Sequence, residues 1–217
     1  MKHTLLVLLV LFLIFSGCKK ELGIFPLNEM KDENPYNGTE TIKYLSNNGD
    51  TIIFIGQGRY SEEIRSPYDG TSSKKYYSNE IDRCTFSSRD NNYELYIQLA
   101  SRTSRGSHNS PSPITGYQMD MWFKDKTGTD TNCRSIADFI TIPLSKHYDS
   151  DFYYDSLLIN GIYYYNVLSF QDYQLTYSGD CFGRMKVDTL FYNTTSGIVK
   201  ISFTDSTTWE LINIENN

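Results

Sequence analysis

YELYIQLA, residues 93–100, alternates without a break: Tyr93, Leu95, Ile97 and Leu99 fall on one side, Glu94, Tyr96, Gln98 and Ala100 on the other. GYQMDMWFK, residues 116–124, does the same, with Tyr117, Met119, Met121 and Phe123 set against Gln118, Asp120, Trp122 and Lys124. Side chains of an extended backbone alternate between faces, so each segment predicts a strand with one side in a core. Working outward, IKYL (42–45) and TIIFIG (51–56) flank Asn47-Asn48-Gly49-Asp50, while YYDSLLI (153–159) and IYYYNVLSF (162–170) flank Asn160-Gly161. Both breaks are rich in residues that tolerate positive φ, which predicts two hairpins. YQLTYS (173–178), MKVDTLFYN (185–193), GIVKISFTD (197–205) and TTWELI (207–212) follow, with Val199, Ile201 and Phe203 sharing a face. About ten short strands at this spacing predict an all-β antiparallel fold, with β-sandwich and flattened barrel both open. CRSIADFITIPL (133–144) is expected to start with one short helical turn before a strand ending at Pro143, and SRTSRGSHNSPSP (101–113) to be a long exposed loop.

Composition agrees with the pattern. The chain has 18 Tyr and 12 Phe among 217 residues, side chains that suit a pleated, half-buried surface. A formal charge of −6 offers no basic face for phosphates, so no nucleic-acid partner is expected. The length is enough for one substantial core, or at most two small domains.

The amino terminus has its own chemistry. A short basic head, Met1-Lys2-His3, precedes the uncharged run TLLVLLVLFLIF (Thr4–Phe15), which is too short to span a bilayer as a permanent helix. Phe15-Ser16-Gly17-Cys18 and the polar exit KKELG follow directly. The tetrapeptide resembles the lipobox of bacterial lipoproteins. That resemblance implies a signal peptide over 1–17, cleavage before Cys18, and fatty-acid (palmitate-type) chains on Cys18. It also implies a location in the cell envelope, lipid-anchored at the outer membrane on its periplasmic or surface face. Several acyl chains hold a protein stably where one does not. Residues 18–40 carry Pro26 and Pro35 and show neither period, so they are expected to be a flexible tether to an all-β domain over 41–217. The closing segment LFYNTTSGIVKISFTDSTTWEL (190–211) is similar to C-terminal hairpins of uncharacterised lipoproteins of the Bacteroidota type, a likeness that brings no activity with it.

An exported chain meets an oxidising compartment. Cys133 and Cys181 lie in turn-like contexts and are expected to form a disulfide, while Cys84, in phase with Phe86, is expected to be a buried thiol. Asp125-Lys126-Thr127-Gly128-Thr129 resembles the phosphorylation signature of P-type cation pumps, but Asp130 breaks the pattern and the segment reads as a turn after a strand. HYDSDFYYD (147–155) lacks the glycine and distal glutamate of a calcium loop, and the two histidines after the signal, His108 and His147, make no zinc pattern. Asp followed by Ser or Thr and then Ile, Leu or Thr occurs at Asp50, Asp155, Asp188 and Asp205, which resembles the O-glycosylation sequon of exported Bacteroidota proteins. It also matches the way strands open after turns; the intact mass of the mature chain separates the two readings.

No nucleophile elbow or catalytic triad can be placed, so no enzyme, no cofactor and no metal site are expected. The expected role is non-catalytic binding or envelope structure. Aromatics opposite the core, Tyr96, Trp122, Tyr163 and Tyr165, are the candidate contact residues for a glycan or another envelope protein. Two alternatives stay open: a β-barrel carrier with an apolar cavity between Tyr93, Met119, Met121 and Phe123, and a glycan-acting enzyme.

Overall fold

The computed structural model describes residues 19–68, 74–104, 114–127, 134–140, 153–170, 175–178 and 185–216. Among them are β1 (Lys20–Phe25), a short 3-10 helix (Asn28–Glu33), β2 (Thr41–Ser46), β3 (Thr51–Pro67), β4 (Lys75–Ser88), β5 (Tyr93–Ser104) and β6 (Ile114–Asp125). The chain continues through β7 (Arg134–Ile140), β8 (Tyr153–Ile159), β9 (Ile162–Phe170), β10 (Leu175–Ser178), β11 (Val187–Asn193), β12 (Gly197–Phe203) and β13 (Thr208–Glu215).

Twelve strands form one antiparallel path, β10-β7-β6-β5-β4-β3-β2-β13-β12-β11-β9-β8, and β1 joins β4 in parallel. Laid flat, β6 and β13 would stand about 24 Å apart at the usual strand spacing. Instead the Phe123 ring of β6 lies 5.6 Å from Trp209 of β13 and 5.2 Å from Phe203 of β12. The sheet therefore curls until its two halves face each other. Among the described residues no pairing joins β8 to β10, so the result is a half-barrel with a sandwich-like core.

Both expected hairpins form. Asn160 and Gly161 have φ of 48° and 80°, the positive pair that a two-residue turn requires. The alternation in the two deciding strands also places the core: Leu95, Ile97, Leu99, Met119, Met121 and Phe123 are buried, as are Val199, Ile201 and Phe203. Their opposite faces are less wet than alternation implies. Gln98 and Asp120 are direct partners across β5 and β6 and are buried, with Gln98 Nε2 donating to Asp120 Oδ2 at 3.1 Å.

Three expectations are corrected. The strand expected in residues 133–144 forms as Arg134–Ile140 between β6 and β10, but it already begins at Arg134, so no helical turn precedes it among the described residues. The loop expected from residue 101 starts later, since β5 continues to Ser104 in register with β6, and residues 105–113 lie outside the described residues. The largest difference concerns 18–40. From Lys20 onward this segment belongs to the fold: β1 pairs with β4, and Leu27, Asn34, Tyr36 and Glu40 are buried inside the curl. Its polar residues look like a solvated coil in sequence but are satisfied internally. Glu40 accepts the N–H groups of Asn37 and Gly38, the Tyr36 hydroxyl accepts Ile198 N–H at 2.8 Å, and Arg59 donates to the carbonyls of Lys31, Asn34 and Tyr36. Two isolated apolar anchors, Leu27 and Tyr36, are too sparse to set a period.

Cys84 lies under this inserted segment. Its Sγ is 3.4 Å from the Tyr36 carbonyl and 3.6 Å from Asn34 Nδ2, and burial pushes the thiol up to about 11. Thiolate is the nucleophile, so the native protein should leave Cys84 unlabelled by iodoacetamide at pH 8 and react only as it unfolds. Peptide mapping after a timed pulse checks this, and rapid labelling in native buffer contradicts it.

Candidate functional site

Tyr96 and Trp122 are directly opposite partners on β5 and β6, half-buried, with rings 6.3 Å apart and edge to face. The Tyr96 hydroxyl donates to Glu94 Oε2 at 2.8 Å, and Lys126 Nζ is 3.0 Å from Glu94 Oε1. Burial and the Glu94 carboxylate together push the Tyr96 phenol up to about 12. Tyr96 is thus tied into the sheet's own polar network, and the two rings, edge to face, do not lie in one plane as a flat platform.

Tyr163 and Tyr165 sit on β9, seven strand steps from β5 along the sheet. The four candidate aromatics thus form two separate patches. The β9 pair is open: Tyr163 is 60% exposed and Tyr165 64%. Register across the Asn160-Gly161 turn pairs Leu158 with Tyr163 and Ser156 with Tyr165, so these four share one face. Leu158 is 54% exposed, and Ile162, on the other face beside the turn, is also exposed. Tyr154 continues the patch towards β11, its ring 6.1 Å from Phe191. Among the described residues β8 is the last strand of the path, so there this apolar hairpin also carries an edge of the sheet.

A second feature opens where three turns meet. A cleft of about 600 Å³ is lined by Ser46, Asn48 and Asp50 of the β2–β3 turn, Arg89 and Asp90 after β4, and Thr207 before β13. Tyr93 and Trp209 line it as well, on top of a closed aromatic cluster. Tyr93 stacks on Phe123 at 5.7 Å and meets Trp209 edge-on at 5.0 Å. Phe203 packs against Trp209 at 4.7 Å. The volume lies in the range of small-molecule sites. Of its two carboxylates, Asp50 and Asp90, the second is occupied. Asp90 accepts from Ser88 and Asn92, and Asp125, below, accepts from Thr127 and the Met185 N–H. Burial, with the nearby Asp125, Asp90 and Asp205 charges, raises the Tyr93 phenol.

No family model, curated protein or solved structure matches the chain. The chemistry must therefore be read from the residues themselves. Asp125 with Thr127 forms a turn closed by its own carboxylate, which gives the pump-like pentapeptide a structural role as far as it is described. Among the described residues no three of His, Cys, Asp and Glu gather as metal ligands. Of the four sequon hydroxyls, Thr51, Ser156 and Ser206 are exposed, whereas Thr189 is half-buried. The space that a carrier would need between Tyr93, Met119, Met121 and Phe123 belongs to the packed core, closed by Phe203 and Trp209. Cys18, Cys133, Cys181, His108 and His147 lie outside the described residues. The exposed Leu158 and Ile162, and the cleft residues Arg89 and Trp209, were not singled out from the sequence.

Proposed function

We propose that this chain is an exported envelope lipoprotein, held at the outer membrane by acyl chains on Cys18, whose β domain binds another envelope protein without catalysis. The observation that supports this most is the β8–β9 hairpin. Tyr163, Tyr165 and Leu158 present a contiguous apolar surface at the end of the sheet, and Ile162 is exposed on the other face beside the turn. Exposed patches of this kind mark interaction sites, and tyrosine gives large contact area at low entropic cost. Leu158 and Ile162 favour a protein over a glycan, because branched aliphatic groups offer a sugar neither a flat face nor a hydrogen bond. The cleft supports catalysis less, since one of its two acids, Asp90, already holds a turn.

The test places a photo-reactive phenylalanine analogue at Leu158 in cells, with Thr85 as the control position. A discrete cross-linked protein is expected from the first position alone. Tyr163→Ser with Tyr165→Ser should leave the melting temperature within about 2 °C, as surface changes do. The same double change should weaken partner binding at least tenfold, the loss of about 1.4 kcal/mol or more at an interface anchor. A polysaccharide smear in place of a discrete band favours the glycan reading, and no product at all removes the hairpin as a site.

A further inference from the structure

The corner where the chain enters the fold is strongly basic. Lys19 and Lys20 precede and open β1, Lys20 is the register partner of Lys75, and Lys20 N–H donates to the Lys74 carbonyl at 2.7 Å. These four lysines are exposed. Arg65 lies nearby on β3, its guanidinium 4.8 Å from the Tyr76 ring, and Lys75 Nζ is 5.9 Å from the Tyr68 ring. Leu22 and Ile24 of β1 are exposed on the same short strand. Against these five cations the described part of the corner sets Glu21, whose carboxylate takes the Ser78 hydroxyl, and the exposed Glu63, two residues before Arg65 on β3. The chain as a whole carries −6, so its charge is sharply polarised.

We infer that this corner is a membrane-contact face, which seats the domain directly on an anionic bilayer surface and sets its orientation. The occupant follows from where the chain goes. Only Ser16-Gly17-Cys18 separates the apolar run ending at Phe15 from Lys19. Two residues span at most about 7 Å, so acyl chains on Cys18 would hold Lys20 within a Debye length of the lipid headgroups, about 8 Å at physiological salt. A flexible tether would have let the body drift away; pairing from Lys20 onward removes that freedom. Each lysine close to an anionic surface strengthens attraction about fivefold, while the acidic remainder of the domain is repelled from it. Tyr68 and Tyr76 carry the amphipathic rings that settle at headgroup level. The β8–β9 hairpin would then be presented at a fixed angle to the membrane. This inference rests on the lipid-anchor reading above.

The experiment uses the full protein purified from membranes and reconstituted into vesicles of phosphatidylcholine alone or with one part phosphatidylglycerol in three. Flotation reports the anchor. Acetylation by a membrane-impermeant amine reagent, read lysine by lysine by mass spectrometry and referred to the detergent-solubilised protein, reports the face. Lys19, Lys20, Lys74 and Lys75 should react at least about fivefold more slowly on the anionic vesicles, with Lys43 and Lys200 changed less than twofold. One molar salt should erase the difference. Lys74→Glu with Lys75→Glu should abolish protection of Lys19 and Lys20 while the protein still floats. Protein that floats but labels evenly overturns the contact face alone; protein that does not float overturns the anchor and the face together.

Discussion

Arg59→Met is expected to lower unfolding stability by about 3 kcal/mol, the low end for breaking a buried ion pair. Arg59 follows a bulge in β3 between Gly56 and Arg59, which turns its side chain onto the inserted segment. Its Nε reaches both Asp82 oxygens at 3.0 Å, Nη1 donates to the Tyr36 carbonyl at 2.7 Å, and Nη2 donates to Lys31 at 3.1 Å. Asp82 is almost wholly buried, whereas a quarter of the Arg59 side chain still meets water. Water can therefore replace part of what the guanidinium supplied, which places the effect at the lower end of the range. Methionine keeps most of the stem's packing, so the loss reads on charge and hydrogen bonds. At 2–4 °C per kcal/mol for a chain of this size, the melting temperature should fall by roughly 6–12 °C. Arg59→Lys should recover only part of this, since an ammonium lacks the planar fork that serves a carboxylate and three carbonyls together. Adding Asp82→Leu to Arg59→Met should restore some stability by removing the stranded charge. Urea unfolding of the four proteins checks the series; a single Arg59→Met loss under 1 kcal/mol would show that the segment is held elsewhere.

The same residues show how far the sequence carries. Alternation in 93–100 and 116–124 places the core side correctly, because a period of two admits one inward face. The Asn160-Gly161 turn is legible for a similar reason: its two positive φ values define register across β8 and β9. Reflecting positions about that turn pairs Leu158 with Tyr163, so the hairpin patch could have been found in full from its own turn. The inserted segment is different. Nothing local in KDENPYNGTE (31–40) distinguishes a polar coil in water from one whose acceptors meet Arg59 and whose Glu40 turns inward, because the partners lie in distant strands. Closure is likewise invisible, since whether the ends of a twelve-strand path meet depends on accumulated twist and not on any one residue type. The membrane corner needed both levels: the lysines are plain in sequence, but 19–20 and 74–75 become one surface only through the parallel pairing of β1 with β4.

Gly38→Ala is expected to be more damaging still, by more than about 4 kcal/mol, in the range reserved for a backbone forced out of place. Gly38 has φ of 85°, which alone costs a side-chain-bearing residue about 1–2 kcal/mol. In addition, a Cβ there would fall within 3.0 Å of Arg59 N and the Gly58 carbonyl, and all three atoms nearest to it are backbone. No rotamer change relieves such a contact. It would part Gly58 N–H from the Gly38 carbonyl and Gly56 N–H from the Glu40 carbonyl, bonds of 2.8 Å that stitch the inserted segment onto β3. Gly49→Ala is the matched control: φ is 90° and nothing lies within 4 Å of its Cβ, so only the conformational penalty should appear. Cys84 reports the mechanism, because Asn34 and Tyr36 of the same segment cover its thiol. If Gly38→Ala acts by prising the segment out, Cys84 should become alkylated in native buffer, as it should more weakly in Arg59→Met, while Gly49→Ala leaves it protected. A destabilised Gly38→Ala protein whose Cys84 stays closed would show instead that strain spreads through β3 and that the segment remains in the core.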